Sequence, residues 1–431
     1  MKASKYNFFF PYEPDDNKII AYNSFSNALA LMEKDKYSIF KAFVDEGKEI
    51  EDENFVSQLQ SGHFLIEDDF NELYYLKHRM LKDRYKTDYL NLTIATTADC
   101  NFRCIYCYEK DVIKPEYMTV EVEEKIIELV ENRANSISNL SICWYGGEPL
   151  MNMGSIERLS RKFIEICEKH NISYSASAIT NGSLLTRENV ILLNELKVTY
   201  LQVTLDGSKI THDRRRPFVN GTGTFDSIIN NMIENKDILP QINLRINVDK
   251  ANIELSKEVH DILKDNDLLG IAYPHYGKVT DLNDSYSASL CYESREYSEK
   301  AFEFYSKTVN ESNFMNRYPT RSSNVCSADS IGSYIIAADG RLYKCLENIG
   351  KVELCIGSLS EESKNKANVN HYFEYMLFDP TSDKMCSQCN ILPLCMGGCP
   401  NGRLSKEDDN CSVYKYVLAD YLDIISKKMA K

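Results

Sequence analysis

The sequence predicts an α/β fold built on parallel strands, and three observations predict it. Short apolar, β-branched segments recur at residues 90–96, 140–145, 174–180, 200–205, 242–248 and 270–275. Amphipathic stretches separate them; Leu159, Phe163 and Ile166, spaced by four and three, share one helix face. Several strands run into a glycine turn beside a polar residue, as at Thr180-Asn181-Gly182 and Thr204-Leu205-Asp206-Gly207. Repeated strand–helix units imply a parallel sheet with right-handed crossovers. Six strands are too few for an eight-stranded barrel, so a partial, open (β/α)6 barrel over residues 86–300 is expected.

Before the barrel, residues 1–85 hold aromatic and β-branched runs (6–10 and 18–22), helical candidates at 37–44 and 53–59, an apolar stop at Phe64, Leu65 and Ile66, and a charged helical connector at 71–84. This order suits a small winged-helix-like module and equally an N-terminal cap on the next domain.

The first predicted barrel strand leads into Ala98-Asp99-Cys100-Asn101-Phe102-Arg103-Cys104-Ile105-Tyr106-Cys107-Tyr108. Three cysteines on one loop can hold three irons of a four-iron cluster, whereas full protein ligation takes four. Zinc or ordinary buried thiols are the alternatives; zinc wants a fourth ligand, and none of the seven histidines falls near the triad. The second strand ends in Gly146-Gly147-Glu148-Pro149, where glycine permits a close backbone approach. In parallel α/β architecture ligands sit at the carboxyl ends of strands, and both motifs lie there. Triad and turn together resemble the radical S-adenosylmethionine (radical SAM) superfamily. The resemblance implies that the open iron chelates the methionine moiety of SAM, and that reductive cleavage yields a 5′-deoxyadenosyl radical that abstracts hydrogen. It further implies that Tyr106 packs near the adenine, that Glu148 accepts from the methionine ammonium, and that Gly146, Gly147, Pro149, Asn181 and Thr204 belong to the SAM site. The Asn, Asp and Gly turns also fit ordinary βα connections. The arginines of His212-Asp213-Arg214-Arg215-Arg216-Pro217 suit either a substrate carboxylate or a solvated basic loop. No residue is singled out as catalytic.

Residues 301–431 carry Cys326, then Gly340 followed five residues later by Cys345, then Cys386-x2-Cys389-x5-Cys395-x3-Cys399, and Cys411. This order resembles the SPASM domain, an auxiliary-cluster module of some radical SAM enzymes. Matched position by position, Cys386, Cys389, Cys395 and Cys411 would hold one four-iron cluster and Cys326, Cys345 and Cys399 another, three clusters in all with the triad's. Two fully ligated cubanes need eight thiolates, so one iron stays open; Cys355 is the nearest further candidate.

The chain has 431 residues, enough for two to three domains, and a net charge of −14, which argues against nucleic acid or anionic membrane as partner. Fourteen cysteines without an apolar signal segment or an 18-residue apolar run fit a cytoplasmic metal-binding protein better than a disulfide framework. SPASM-type enzymes act largely on peptides, and a winged-helix-like module resembles the element by which peptide maturases capture a precursor's leader. The resemblance therefore implies a maturase of ribosomally made peptides, a leader-bearing precursor as partner, and flavodoxin or ferredoxin as electron donor. The preferred reaction joins a cysteine sulfur to a carbon as a thioether. A sulfatase maturase forming formylglycine, a peptide epimerase, and a noncatalytic electron carrier or peptide scaffold are the alternatives. The first of these expects an acidic residue directly after the cysteine of the Gly-x4-Cys element, where this chain has Leu346, with Glu347 one further on.

Overall fold

A computed structural model describes residues 1–430 except 282–285, 309–313, 323–325, 360–366 and 405–409. The chain divides into two compact units, one of residues 1–84, 293–326 and 378–431, the other of residues 85–292 and 327–377. The cysteine-rich stretch from 301 onward is thus shared between them.

In the first unit, β1 (Lys2–Ala3), β2 (Asn7–Pro11), β3 (Lys18–Asn23), β4 (Leu29–Glu33), α1 (Lys34–Glu46), α2 (Glu53–Ser61), β5 (Leu65–Ile66) and α3 (Glu72–Arg84) follow in order. Strands β2, β3 and β4 form an antiparallel sheet with β2 and β4 at its edges, and β1 pairs with β5. Alternation sends Ala21 and Met32 into a core with Phe40, Phe55, Leu59 and Phe64, while Ile20 and Tyr22 pack on Ile391, Leu394, Leu418 and Leu422. Strand β4 is not legible in the sequence because Leu-Ala-Leu-Met-Glu carries no β-branched residue and favours helix. Asp52 caps α2 by accepting from Phe55 N.

The second unit contains all six predicted strands: β6 (Tyr89–Ala95), β7 (Asn139–Tyr145), β8 (Ser173–Thr180), β9 (Val198–Thr204), β10 (Gln241–Val248) and β11 (Ala272–Lys278), consecutive neighbours pairing parallel. Between them run α4 (Val120–Arg133), α5 (Met153–His170), α6 (Arg187–Glu195), α7 (Lys209–Arg215), α8 (Phe225–Glu234) and α9 (Glu258–Asp265). Thr119 and Thr186 cap α4 and α6, and α5 ends on Asn171 in the left-handed region. The predicted face of α5 is buried: Ile156, Leu159, Phe163 and Ile166, with Phe163 stacked on Trp144 at 6.4 Å. The sheet continues beyond β6 through β12 (Ser333–Ile336), parallel to it, and the antiparallel β13 (Arg341–Tyr343) and β14 (Gly357–Ser358). Strands of two to four residues give too little alternation to read. This is the predicted partial (β/α)6 barrel, widened at its β6 edge, and α10 (Val369–Leu377) belongs to the same unit.

Candidate active site: the triad loop and its two clamps

The triad loop leaves the carboxyl end of β6 and is held on both sides by backbone. On one side Gly147 N donates to Thr97 O at 3.2 Å and Glu148 N to Asp99 O at 2.9 Å. The approach is so close that a Cβ at Gly146 would lie 2.4 Å from Thr97 O, and one at Gly147 2.2 Å from Asp99 O. Gly146 also has φ +137, a conformation other residues rarely adopt. What the two glycines admit is therefore the chain's own triad loop. On the other side Arg103 N donates to Pro217 O (2.8 Å), Ile105 N to Arg215 O (3.0 Å) and Val219 N to Asn101 O (2.9 Å), so the 215–219 segment forms the second clamp.

Glu148 is fully buried at the end of β7 and anchored to the next strand end. Thr180 Oγ1 donates to its Oε1 at 2.7 Å, Asn181 N to its Oε2 at 2.7 Å, and Leu150 N to Oε1 at 3.1 Å. Burial pushes its carboxyl up to about 7 against the pull of these donors. Of roughly four acceptor positions on a carboxylate, three are taken. Asn181 in turn donates to Asn101 Oδ1 at 2.7 Å, tying the Thr-Asn-Gly turn to the triad loop. Pro149 is buried and its carbonyl accepts from Thr96 Oγ1 at 3.2 Å, and Thr204 is buried at the end of β9.

In the His212–Arg216 run only Arg214 is exposed, whereas His212, Arg215 and Arg216 are buried. Arg215 is buried, with Nε 3.2 Å from Asp206 Oδ2, Nη1 2.7 Å from Asp249 Oδ2 and Nη2 3.3 Å from Asn247 O. Asp206 N donates to His212 Nδ1 at 3.1 Å; His212 Nε2 lies 3.0 Å from Thr224 Oγ1, whose hydroxyl donates to Arg216 O. Those partners require a neutral, Nε2-protonated ring, and burial with the Arg216 and Arg215 cations lowers the His212 pKa accordingly. Asp213 Oδ1 accepts from Thr224 N and Phe225 N, both at 2.7 Å, capping α8. Tyr106 joins the same network: its hydroxyl donates to Asp206 Oδ2 and accepts from Arg216 Nη1 (2.7 Å) and Asn247 Nδ2 (3.1 Å), while Arg215 lies over its ring at 4.9 Å. With its polar tip consumed, only the ring of Tyr106 remains for a ligand. Arginines beside an Asp-Gly turn are visible in the sequence; that Arg215 and Arg216 are buried, Arg215 between two carboxylates and Arg216 against the Tyr106 hydroxyl, is not.

A third group escapes sequence reasoning altogether. Tyr145 donates to the buried Glu109, and Tyr108 is bonded to Tyr145. Burial raises Glu109 to about 7, opposed by the Tyr145 hydrogen bond. Glu109 lines a cavity of about 330 Å³ with Asp111, Lys114, Glu116, Gly146 and Arg341, between the segment after the triad and the β12–β13 turn.

Burial pushes all three triad thiols up, Cys107 to about 12, with Glu148 adding at Cys100 and Glu109 at Cys107. At Cys104 the strongest charged influence is the opposing Arg216 cation. Among the described residues no three His, Cys, Asp or Glu side chains converge on a single-ion site. A four-iron cluster does not ask for that, since its cysteines bind separate irons. The donor set of the loop fits such a cluster: three neighbouring thiols in a dry setting that disfavours bare thiolates, facing a buried guanidinium whose Nε has no acceptor.

The C-terminal cysteines are placed as follows. Cys326, Cys386, Cys389, Cys395, Cys399 and Cys411 lie in the first unit and Cys345 in the second. Burial, with Cys411 nearby, raises the Cys395 thiol, Cys386 faces Arg403, and Cys411 accepts from Lys415 Nζ at 3.0 Å. Cys355 is fully buried in the second unit and donates to Gly357 O at 2.8 Å, as a packing residue does.

Residues 94–266, from the last two residues of β6 through α9, match the profile of the Radical SAM superfamily. They form a radical SAM domain. The chain thus carries a radical SAM domain, and that domain implies SAM and one four-iron cluster. A cysteine-type anaerobic sulfatase-maturating enzyme of Clostridium novyi (strain NT) is 24% identical over 323 residues, 70% of this chain and 85% of the relative. The fold is shared with the structure of anSMEcpe with bound AdoMet and Kp18Cys peptide (TM-score 0.60, 21% identity, 79% of this chain and 99% of that one). It is shared also with Streptococcus suis SuiB bound to precursor peptide SuiA (TM-score 0.52, 15% identity, 96% and 99%). Among the described residues no helix is long and apolar enough to cross a membrane.

Proposed function

We propose that this radical SAM enzyme modifies a ribosomally made precursor peptide, joining a cysteine sulfur to a carbon as a thioether. The observation that carries the peptide-maturase reading is the doubly clamped triad loop with Glu148 anchored by Thr180 and Asn181, in a chain whose fold matches enzymes solved with peptides. Cys100, Cys104 and Cys107 would hold the SAM-binding cluster; reductive cleavage of SAM there supplies a 5′-deoxyadenosyl radical. Glu148 keeps one acceptor position for the methionine ammonium, and the clamps fix that carboxylate against the loop before SAM arrives. Gly146, Gly147, Pro149, Asn181 and Thr204 complete the SAM wall, and Tyr106 offers its ring to the adenine.

Cys386, Cys389, Cys395 and Cys411, all of one unit, are assigned to an auxiliary four-iron cluster. The edge strands of the β2–β3–β4 sheet carry unpaired backbone groups to which a leader can add as a strand. Flavodoxin or ferredoxin supplies the electron. Thioether formation is preferred because Leu346, not an acidic residue, follows Cys345. The second reading, formylglycine formation, is favoured by the sulfatase-maturating relative.

The deciding experiment is anaerobic: reconstitute the protein, add reductant, SAM and a candidate cysteine-containing precursor, and follow peptide mass with 5′-deoxyadenosine. Loss of two hydrogens with the cysteine resistant to alkylation and the sulfur retained supports the thioether. Conversion of the cysteine to an aldehyde with loss of sulfur supports formylglycine instead. Absence of deoxyadenosine with every precursor refutes the assignment of the triad.

A further inference from the structure

We propose that Arg216 donates its Nε–H to the iron–sulfur cluster of the Cys100–Cys104–Cys107 loop, at a sulfide or at the Cys104 sulfur, and raises that cluster's reduction potential. The inference rests on the reading that the triad holds a four-iron cluster. Arg216 is only 7% exposed, yet among the described residues no carboxylate lies within ion-pair distance of it; Asp206 and Asp249 are taken by Arg215. Its Nη1 is spent on the Tyr106 hydroxyl at 2.7 Å, but its Nε is buried with no acceptor. A buried donor left unmade costs free energy comparable to a lost hydrogen bond, so a native fold supplies an acceptor. The thiol on which its charge acts most strongly is that of Cys104.

The fold also holds this guanidinium in place. The Arg216 carbonyl is fixed by Thr224 Oγ1 at 2.6 Å, itself held by His212. The neighbouring Arg215 carbonyl takes Ile105 N of the triad loop, and the Phe102 ring lies beneath the guanidinium at 5.8 Å. A positioned cation and an N–H···S bond both stabilise the more negative, reduced cluster, because net charge and hydrogen bonds to sulfur set such potentials. In a chain of net charge −14 this is a local counterweight to an otherwise anionic field.

The test is an anaerobic, EPR-monitored redox titration of the reconstituted full chain without SAM, comparing wild type with Arg216→Met, Arg216→Gln and Arg216→Lys at matched iron content. At a fixed solution potential the reduced-to-oxidised ratio should fall at least tenfold in the Met and Gln variants, about 59 mV for a one-electron couple. Lysine, which keeps the charge but not the Nε–H, should recover part of the shift. An unchanged midpoint in whichever variants assemble overturns the proposal. Failure of all three to assemble a cluster does so too, by making Arg216 a structural residue. A shift that appears only once SAM is added gives the Nε–H to SAM's carboxylate and likewise overturns the proposal. Wild type that yields no EPR-active four-iron cluster refutes the underlying reading instead.

Discussion

Gly147→Ala tests the clamp on the triad loop most directly. The added Cβ would fall 2.2 Å from Asp99 O, 2.6 Å from Asp99 C and 3.0 Å from Cys100 Cβ. An ordinary carbon–oxygen contact is about 3.3 Å, so the loop backbone must retreat by about 1 Å. Overpacking of this kind costs about 1–3 kcal/mol. The retreat also strains the hydrogen bonds Gly147 N to Thr97 O and Glu148 N to Asp99 O, each worth about 1 kcal/mol. The sum is about 3–5 kcal/mol of stability, read as a lower denaturation midpoint. Because Asp99 adjoins Cys100, the displacement reaches the proposed cluster; a misplacement of about 1 Å can cost about 100-fold in rate. Iron content and the rate of 5′-deoxyadenosine formation should therefore both fall. Gly270→Ala is the control, since nothing lies within 4 Å of a Cβ there. A Gly147→Ala protein with wild-type midpoint, full iron and undiminished SAM cleavage would show that the loop does not depend on this clamp.

Asp249→Ala strips Arg215 of one buried partner and should cost about 3–5 kcal/mol, measured by denaturant unfolding; a change under about 0.5 kcal/mol would mean Asp206 alone suffices. Glu109 is held at about 7 by burial, above its ordinary value of 4.5. Its contribution is therefore fully present below pH 4.5 and is lost as pH rises through about 7, a swing of about 3 kcal/mol. The difference in unfolding free energy between wild type and Glu109→Gln should accordingly change between pH 5 and pH 7.5, and a pH-independent difference contradicts the burial argument. Cys104→Ala should abolish reductive SAM cleavage. Cys389→Ala should spare some cleavage while blocking product, as judged by deoxyadenosine and peptide mass; normal product from it removes the auxiliary cluster from the mechanism.

The six barrel strands, the buried face of α5, and the two motifs at the carboxyl ends of β6 and β7 are legible in the sequence. Each depends on patterns that local physics enforces: period-two and 3.6-residue apolar repeats, and glycine where a backbone must come close. Strand β4 and the short β12–β14 extension escaped, because helix-prone residues or two to four positions leave no readable period. What the glycines approach and how Arg215 and Arg216 are used follow from the tertiary structure. Gly146 and Gly147 meet Thr97 and Asp99 across some fifty residues of chain, and Arg215 finds Asp206 and Asp249 on two different strand ends. Burial likewise changed Glu109 from one more acidic residue on a cysteine loop into a carboxyl raised to near neutrality by its dry surroundings, with Tyr145 as its hydrogen-bond donor. Charge pairing and desolvation are properties of distance in space, and spacing along a chain does not encode them.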